Sequence, residues 1–192
     1  MKNIRRIVLM LLISGALPFP AFGQAGLAGN DLHPVVIMTT SMGPIIITLD
    51  AQRAPVTVKN FLSYVSTGFY DSTLVHRVIP GFMIQGGGFK AGNFMQKATN
   101  PAILNEAPNG LSNVRGSIAM ARGNSLNSAT SEFFINLVDN ASLDRDRYAV
   151  FGQVTIGMET VDKIAKVPTK PRGYMEDVPV KDVVIESIRL SK

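Results

Sequence analysis

The chain has 192 residues, a formal net charge of +5, no cysteine and two histidines. The absence of cysteine excludes disulfides, thiol catalysis and cysteine metal sites, and His33 and His76 lack the spacing of a metal-ligand pair. We therefore expect no metal and no cofactor.

The first 23 residues have the pattern of a secretory signal peptide. A basic start is followed by the apolar run Ile7–Leu17, which Pro18 ends, and small residues stand at the two positions read by a signal peptidase, Ala21 and Gly23. The run is shorter than the roughly 20 apolar residues that span a bilayer, although a membrane anchor is the alternative. We predict a signal peptide over 1–23 and one domain over 24–192, exported to the periplasm.

Removal of that segment takes away three of the 19 basic residues. The remaining 16 basic and 14 acidic residues give the domain a formal net charge of +2. No basic stripe is interleaved with aromatic residues, which argues against nucleic acid as a partner. We expect a monomer that binds no nucleic acid and, once the signal is cleaved, no membrane.

The first half of the domain alternates strands and one helix. Strands are predicted over 35–39 and 45–49. Pro55 opens a helix whose apolar stripe recurs at i, i+3, i+4 and i+7, and Gly68 closes it. A hairpin follows, with strands over 73–79 and 82–85 around the turn Pro80-Gly81.

The second half continues with short strands over 117–121, 132–137 and 148–154. Gly157 precedes a second helix with an apolar face, and a closing strand is predicted over 180–190. The stretch between Phe89 and Gly116 is rich in Asn, Pro and Gly and is predicted to be loop. Many short strands with two isolated helices indicate a mostly antiparallel barrel or sandwich.

The segment HRVIPGFMIQGGGF, residues 76–89, places a charged arginine in an apolar run. Because strand side chains alternate, Val75 and Arg77 share one face, while Leu74, His76 and Val78 share the other. If the latter fill a barrel, Arg77 lies on the outside of it. Met83 and Gln85 share a face of the returning strand, so an apolar surface would carry one guanidinium and one amide.

Each of these residues also has a purely structural interpretation. An arginine on an outer strand face is usually solvated, and His76 is more readily explained as a hydrogen-bonded core histidine than as a catalyst. The glycines at 86–88 match no phosphate-binding loop and indicate a tight bend or a close backbone approach.

Four blocks of the sequence resemble the cyclophilin-type peptidyl-prolyl isomerases, in particular those of the bacterial periplasm. They are APVTVKNFLSYVSTGFYDSTLVHRVIPGFMIQGGGF (54–89), NGLSNVRGSIAMAR (109–122), SATSEFFINLVDNASLD (128–144) and YAVFGQVTIGMETVDKI (148–164). The resemblance implies a mainly β fold, a closed eight-stranded antiparallel barrel capped by two helices, with the active groove on its outer face.

The resemblance also implies roles for individual residues. Arg77 would be catalytic, Gln85 would hold a substrate carbonyl, and backbone of Ala121, Arg122 and Gly123 would face an extended peptide. Four apolar residues would line the proline pocket, namely Phe82, Met83, Phe134 and Leu143. Phe133 and Ile135 would face the core.

Four positions depart from the better-known eukaryotic members. Glu132 replaces a glutamine, Arg122 an asparagine and Tyr148 a histidine, while Ser142 replaces an aromatic residue. The substitution at Ser142 predicts weak cyclosporin binding at most. Glu132 lies two residues before Phe134 and hence on the groove face, where its carboxylate is hypothesised to pair with Arg77.

These features predict an isomerase that acts on proline-containing peptides and unfolded exported proteins. The alternative from the same residues is a peptide-binding chaperone of this fold with weak or incidental isomerase activity, which an inhibitory Glu132–Arg77 pair would favour. A barrel that binds a small ligand inside is a third possibility, which the many side chains available to fill an eight-stranded barrel disfavour.

Overall fold

A computed structural model describes residues 32–191. Eight strands in this range close into one antiparallel barrel, in the order β1-β10-β3-β4-β6-β5-β7-β2. Their bounds are β1 Val35–Thr40, β2 Gly43–Leu49, β3 Thr73–Ile79, β4 Met83–Lys90, β5 Ser117–Met120, β6 Phe133–Asn136, β7 Val150–Ile156 and β10 Val183–Leu190. The prediction of a mainly β, eight-stranded antiparallel barrel is confirmed. The predicted signal peptide lies outside the described residues.

Two helices pack on the barrel core, as predicted. They are α1, Pro55–Ser66, and α3, Met158–Ile164, and they bury Phe61, Val161 and Ile164 completely against the strands. The structure adds a short third helix, α2 at Ala141–Arg145. Its five residues are too few to produce a helical period in the sequence, so periodicity could not reveal it.

The start of α1 depends on a residue far away in the chain. Pro55 occupies the first helical turn, where a missing N–H does no harm. The next two backbone N–H groups, of Val56 and Thr57, donate to the carboxylate of Glu106 at 2.9 and 2.8 Å. The predicted loop between Phe89 and Gly116 thus supplies the helix cap.

The region before the closing strand differs from the prediction. A two-stranded hairpin, β8 at Thr169–Arg172 and β9 at Met175–Pro179, packs beside β3, and β10 begins at Val183 rather than at residue 180. Neither hairpin strand alternates between apolar and polar residues, because only Val178 and Pro179 of their nine residues are buried. This lack of alternation explains why the sequence pattern missed them.

The three glycines of β4 lie where the backbone approaches other groups closely, as predicted. A Cβ on Gly86 would stand 3.0 Å from the carbonyl oxygen of Leu74, and one on Gly87 would stand 2.9 and 3.0 Å from the rings of Tyr70 and Phe133. Gly87 also has a φ of +90°, which disfavours a side chain. These positions need glycine for packing.

We predict that Gly87→Ala destabilises the protein more than Gly92→Ala does. Gly92 has a similar φ of +84° but no atom within 4 Å of a built Cβ, so alanine there adds only the left-handed strain of about 1–2 kcal/mol. At Gly87 overpacking against the two rings adds about 1–3 kcal/mol. Urea unfolding of both variants measures the difference, and equal losses would contradict it.

Candidate active site

A β-bulge at His76 determines which side chains of β3 leave the barrel. Val75 pairs with Gly86 and Arg77 with Gln85, so two steps on β3 correspond to one step on β4. Val75 and Val78 both belong to the barrel core, which leaves His76 and Arg77 outside it. Arg77 is therefore outside the barrel as predicted, but the strict alternation behind that prediction was wrong.

Arg77 begins a row of cross-strand neighbours. It pairs with Gln85 on β4, Gln85 with Phe134 on β6, Phe134 with Ala119 on β5, and Ala119 with Val150 on β7. Directly paired residues project to the same side of a sheet. The row therefore presents one guanidinium and one amide beside three apolar side chains on the outer face.

The apolar end of this row lies in a second hydrophobic cluster, separate from the barrel core, which we call the outer cluster. Its buried members are Met83, Ala119, Phe134, Leu143 and Val150, and Ile79, Phe82, Leu111, Ala121 and Tyr148 pack against them. The structure thus brings together the four residues predicted for a proline pocket. Sequence reasoning missed Ala119 and Val150, since β5 is buried throughout and β7 begins with three buried residues, so that neither segment shows alternation.

Three further predicted residues form one edge of the outer cluster. The Tyr148 ring meets the Phe134 ring edge-on, with centroids 5.7 Å apart. The guanidinium carbon of Arg122 lies 4.4 Å from the Tyr148 ring centroid, and its Nη1 donates to the carbonyl of exposed Gly123 at 2.9 Å. The Arg122 side chain therefore supports this edge of the outer cluster.

A buried asparagine network holds the outer cluster in place. Asn140 donates to the backbone carbonyl of Phe82 at 2.9 Å and to the side chain of Asn136 at 2.7 Å. Asn136 donates in turn to Asn113 at 3.0 Å, and Asn113 donates to the backbone carbonyl of Tyr148 at 3.2 Å. Both ends of the outer cluster are thus tied to one polar network, which no sequence signal indicated.

The hypothesised ion pair between Glu132 and Arg77 does not form. Glu132 Oε2 accepts a hydrogen bond from Gln85 Nε2 at 2.8 Å and lies 3.3 Å from His76 Nε2. Arg77 instead approaches Asp177 on β9, with 3.9 Å between Nε and Oδ2. The hypothesis failed because the hairpin that carries Asp177 was not visible in the sequence.

His76 is buried, but it is not the hydrogen-bonded core histidine of the prediction. Its ring packs against Phe89, with centroids 4.7 Å apart. Within residues 32–191 neither ring nitrogen has an aligned hydrogen-bond partner. The His76 ring thus lies 3.3 Å from the Glu132 carboxylate without an aligned hydrogen bond.

The Glu132 carboxyl has a shifted pKa. Burial alone would raise it, but the His76 ring and the Gln85 amide outweigh burial and lower the pKa below its ordinary value of 4.5. The side chain is 20% exposed. The group is therefore an ionised hydrogen-bond acceptor at neutral pH.

Two surface depressions of about 390 Å³ each lie away from the row, one between the end of α1 and Arg189, the other beside Pro80 and Arg115. Within residues 32–191 no three or more His, Cys, Asp or Glu side chains form a group that could hold a metal ion. In the same range no helix has the length and apolar character needed to cross a membrane.

Comparison with known proteins identifies the family. The family model described as cyclophilin type peptidyl-prolyl cis-trans isomerase/CLD matches residues 35–190. The chain belongs to this family. It is a peptidyl-prolyl cis-trans isomerase, as the resemblance of the four sequence blocks predicted.

Curated bacterial relatives of this cyclophilin cover most of its length. It is 53% identical over 180 residues to peptidyl-prolyl cis-trans isomerase A of Dickeya dadantii, an alignment that covers 92% of this chain and 93% of the relative. It is 51% identical over 165 residues to peptidyl-prolyl cis-trans isomerase B of Escherichia coli, covering 82% and 100%.

Solved cyclophilin structures share the fold. A Cryptosporidium parvum cyclophilin type isomerase, crystallised in the presence of the dipeptide Ala-Pro, matches with a TM-score of 0.71 at 26% identity and covers 82% of this chain and 99% of that one. A cyclophilin from Hirschia baltica matches with a TM-score of 0.66 at 22% identity, covering 80% and 72%, which supports the fold alone.

The lowered pKa of Glu132 predicts a pH-dependent stability. The unfolded chain binds more protons than the folded one between the folded pKa and 4.5, so the stabilisation is present above 4.5 and lost as pH falls through the folded pKa. The difference in unfolding free energy between this cyclophilin and Glu132→Gln should therefore shrink from about pH 6 to about pH 3 in urea titrations.

Asp71 provides a comparison for that experiment. Its pKa is also lowered, by its hydrogen bond to Arg189, but this pair is exposed. Salt should reduce the difference in unfolding free energy between the parent and Asp71→Asn, and should reduce the corresponding difference for Glu132→Gln less. If the difference for Glu132→Gln stays constant down to about pH 3, the lowered pKa of Glu132 is contradicted.

Proposed function

We propose that this cyclophilin accelerates rotation about X–Pro bonds in exported proteins as they fold, with Arg77 as the catalytic residue and the outer cluster as the proline pocket. One observation carries the proposal: cross-strand pairing puts the guanidinium of Arg77 and the amide of Gln85 in one row with buried Phe134. A proline ring packed on Phe134 would bring its peptide bond near both polar groups.

The chemistry requires stabilisation of a twisted amide. Resonance in the planar peptide bond produces a barrier of about 18–20 kcal/mol. As the bond twists, conjugation is lost and the prolyl nitrogen regains its lone pair. A donor directed at that nitrogen binds the twisted form more strongly than the planar one, which is the condition for catalysis.

Arg77 suits this role because its guanidinium stays protonated and offers a rigid planar fork of donors. Its side chain is 39% exposed, so a substrate can reach it. The contact with Asp177 is exposed and longer than a hydrogen bond at 3.9 Å, and such surface pairs contribute little. The Nη donors are therefore available to a substrate.

The outer cluster provides the apolar environment. The twisted amide is less dipolar than the planar one, so transfer from water to an apolar surface disfavours it less. Phe82, Met83, Phe134 and Leu143 supply that surface. Gln85 would bind a substrate carbonyl, and the backbone from Ala121 to Gly123 would accommodate the extended peptide.

Replacement of Arg77 tests the mechanism. Arg77→Ala removes one charge-assisted hydrogen bond, which is worth about 1.5–3 kcal/mol, so kcat/KM for a short X–Pro peptide should fall at least about tenfold. Arg77→Lys should also be slow, because a point charge does not reproduce the fork. The control is Arg189→Ala, which removes an ion-paired arginine outside the row. Full activity of Arg77→Ala would exclude the proposed role.

The chaperone alternative depended on a Glu132–Arg77 pair that withholds the guanidinium from the substrate. Glu132 instead contacts Gln85 and His76. The observation that would favour a damaged isomerase is therefore missing from this site. We keep the enzyme, rather than the chaperone, as the proposed physiological role.

We propose the periplasm as the location, on the basis of the pattern in residues 1–23. The clients would then be unfolded exported proteins that contain proline. Cell fractionation followed by N-terminal sequencing should find a chain that begins near Gln24 in the periplasm. A cytoplasmic chain that still begins at Met1 would refute this part of the proposal.

The same proposal includes weak cyclosporin binding. The resemblance of the sequence blocks implies that Ser142 replaces an aromatic residue, and Ser142 is exposed on α2 next to buried Leu143. A hydroxymethyl group offers a bulky cyclic peptide little apolar area to bury. Inhibition by cyclosporin in the X–Pro assay measures this.

A further inference from the structure

The Glu132 carboxylate occupies a confined place beside the row. A Cβ on Gly88 would clash with Glu132 Oε1, so the carboxylate lies directly on the backbone of β4 where a side chain is absent. The other oxygen, Oε2, is contacted by both Gln85 Nε2 at 2.8 Å and His76 Nε2 at 3.3 Å. Packing and polar contacts therefore hold the carboxylate in one place.

This contact determines the orientation of the Gln85 amide. A side-chain amide can turn either its NH₂ group or its oxygen towards a neighbour, but an ionised carboxylate only accepts hydrogen bonds. Gln85 must therefore direct its NH₂ group at Glu132. The lowered pKa of Glu132 keeps the carboxylate an acceptor throughout the neutral range, so the opposite orientation is disfavoured.

Gln85 lies between the two groups proposed to act on the substrate. It pairs directly with Arg77 on one side and with Phe134 on the other. One N–H is committed to Glu132, which leaves the second N–H and the amide oxygen for a peptide backbone. A reversed amide would exchange a donor for an acceptor at this point and leave a substrate carbonyl unpaired.

We propose that Glu132 is a positioning residue: it fixes the amide of Gln85 in the orientation that binds the substrate backbone. The inference rests on the proposed role of Gln85 in substrate binding. Glu132 acts through Gln85 and not through Arg77. It is therefore expected to affect KM more than kcat.

Two substitutions of similar size separate the acceptor from the charge. Glu132→Gln keeps an oxygen that can occupy the Oε2 position, whereas Glu132→Met keeps the length and has no such acceptor. We expect Glu132→Met to raise KM about fivefold or more with kcat within about twofold, and Glu132→Gln to recover most of the loss. The control is Glu186→Met, the same change at an exposed position of β10.

A double-mutant cycle tests whether the effect passes through Gln85. In a Gln85→Ala background, Glu132→Met should change KM by less than about 1.5-fold, because the group to be positioned is gone. An equal effect in both backgrounds would overturn the inference, as would a Glu132→Met variant with the KM of the parent.

A spectroscopic measurement is independent of activity. In NMR spectra of the parent protein, one of the two Gln85 side-chain amide protons should be shifted and protected from exchange by the carboxylate. Glu132→Met should abolish that difference, and an unchanged signal would overturn the positioning role. If the signal changes but Gln85→Ala leaves KM unaltered, the positioning is correct and the proposed substrate contact of Gln85 is wrong. Arg77→Ala tests the remaining mechanism separately.

Discussion

The bulge at His76 is the constraint on which the outer face of the barrel depends. With regular pairing, every second residue of β3 would enter the core, and His76 and Arg77 would lie on opposite faces. The two-to-one correspondence between Val75–Arg77 and Gly86–Gln85 puts both outside. It also resets the alternation, so that Val78 returns to the core. One extra residue thus keeps the side chains of His76 and Arg77 out of the apolar interior without breaking the barrel.

The glycines of β4 make room for groups on both sides of the strand. Gly87 admits the rings of Tyr70 and Phe133 against its backbone, and Gly88 admits the carboxylate of Glu132. A side chain at either position would displace a neighbour that the fold or the site requires. Absence of a side chain is therefore as specific a requirement here as the presence of Arg77.

The two carboxylates at the site have different neighbours. Glu132 is partly buried and contacts His76 and Gln85, whereas Asp177 is exposed and approaches Arg77 from the hairpin. The closer contacts thus belong to the buried carboxylate, where screening by solvent is weak. The guanidinium has only a weak, exposed partner and keeps donors for a ligand. The asparagine network below the outer cluster fixes the apolar residues by hydrogen bonds and is itself anchored by the carboxylate of Asp144, which accepts from Asn113.

The sequence by itself determined the family, the barrel, the two packed helices and the four predicted pocket residues of the outer cluster, because these depend on local periodicity and on motifs contiguous in the chain. The hairpin with Asp177, the cap from Glu106 and the asparagine network could not be predicted, since each joins residues far apart in sequence with no shared pattern. The partner of Glu132 was wrongly predicted for the same reason. The alternation of side chains specifies on which side of a strand a residue lies, but a bulge changes that side. Only the closed barrel then decides which polar groups come within hydrogen-bond distance of one another.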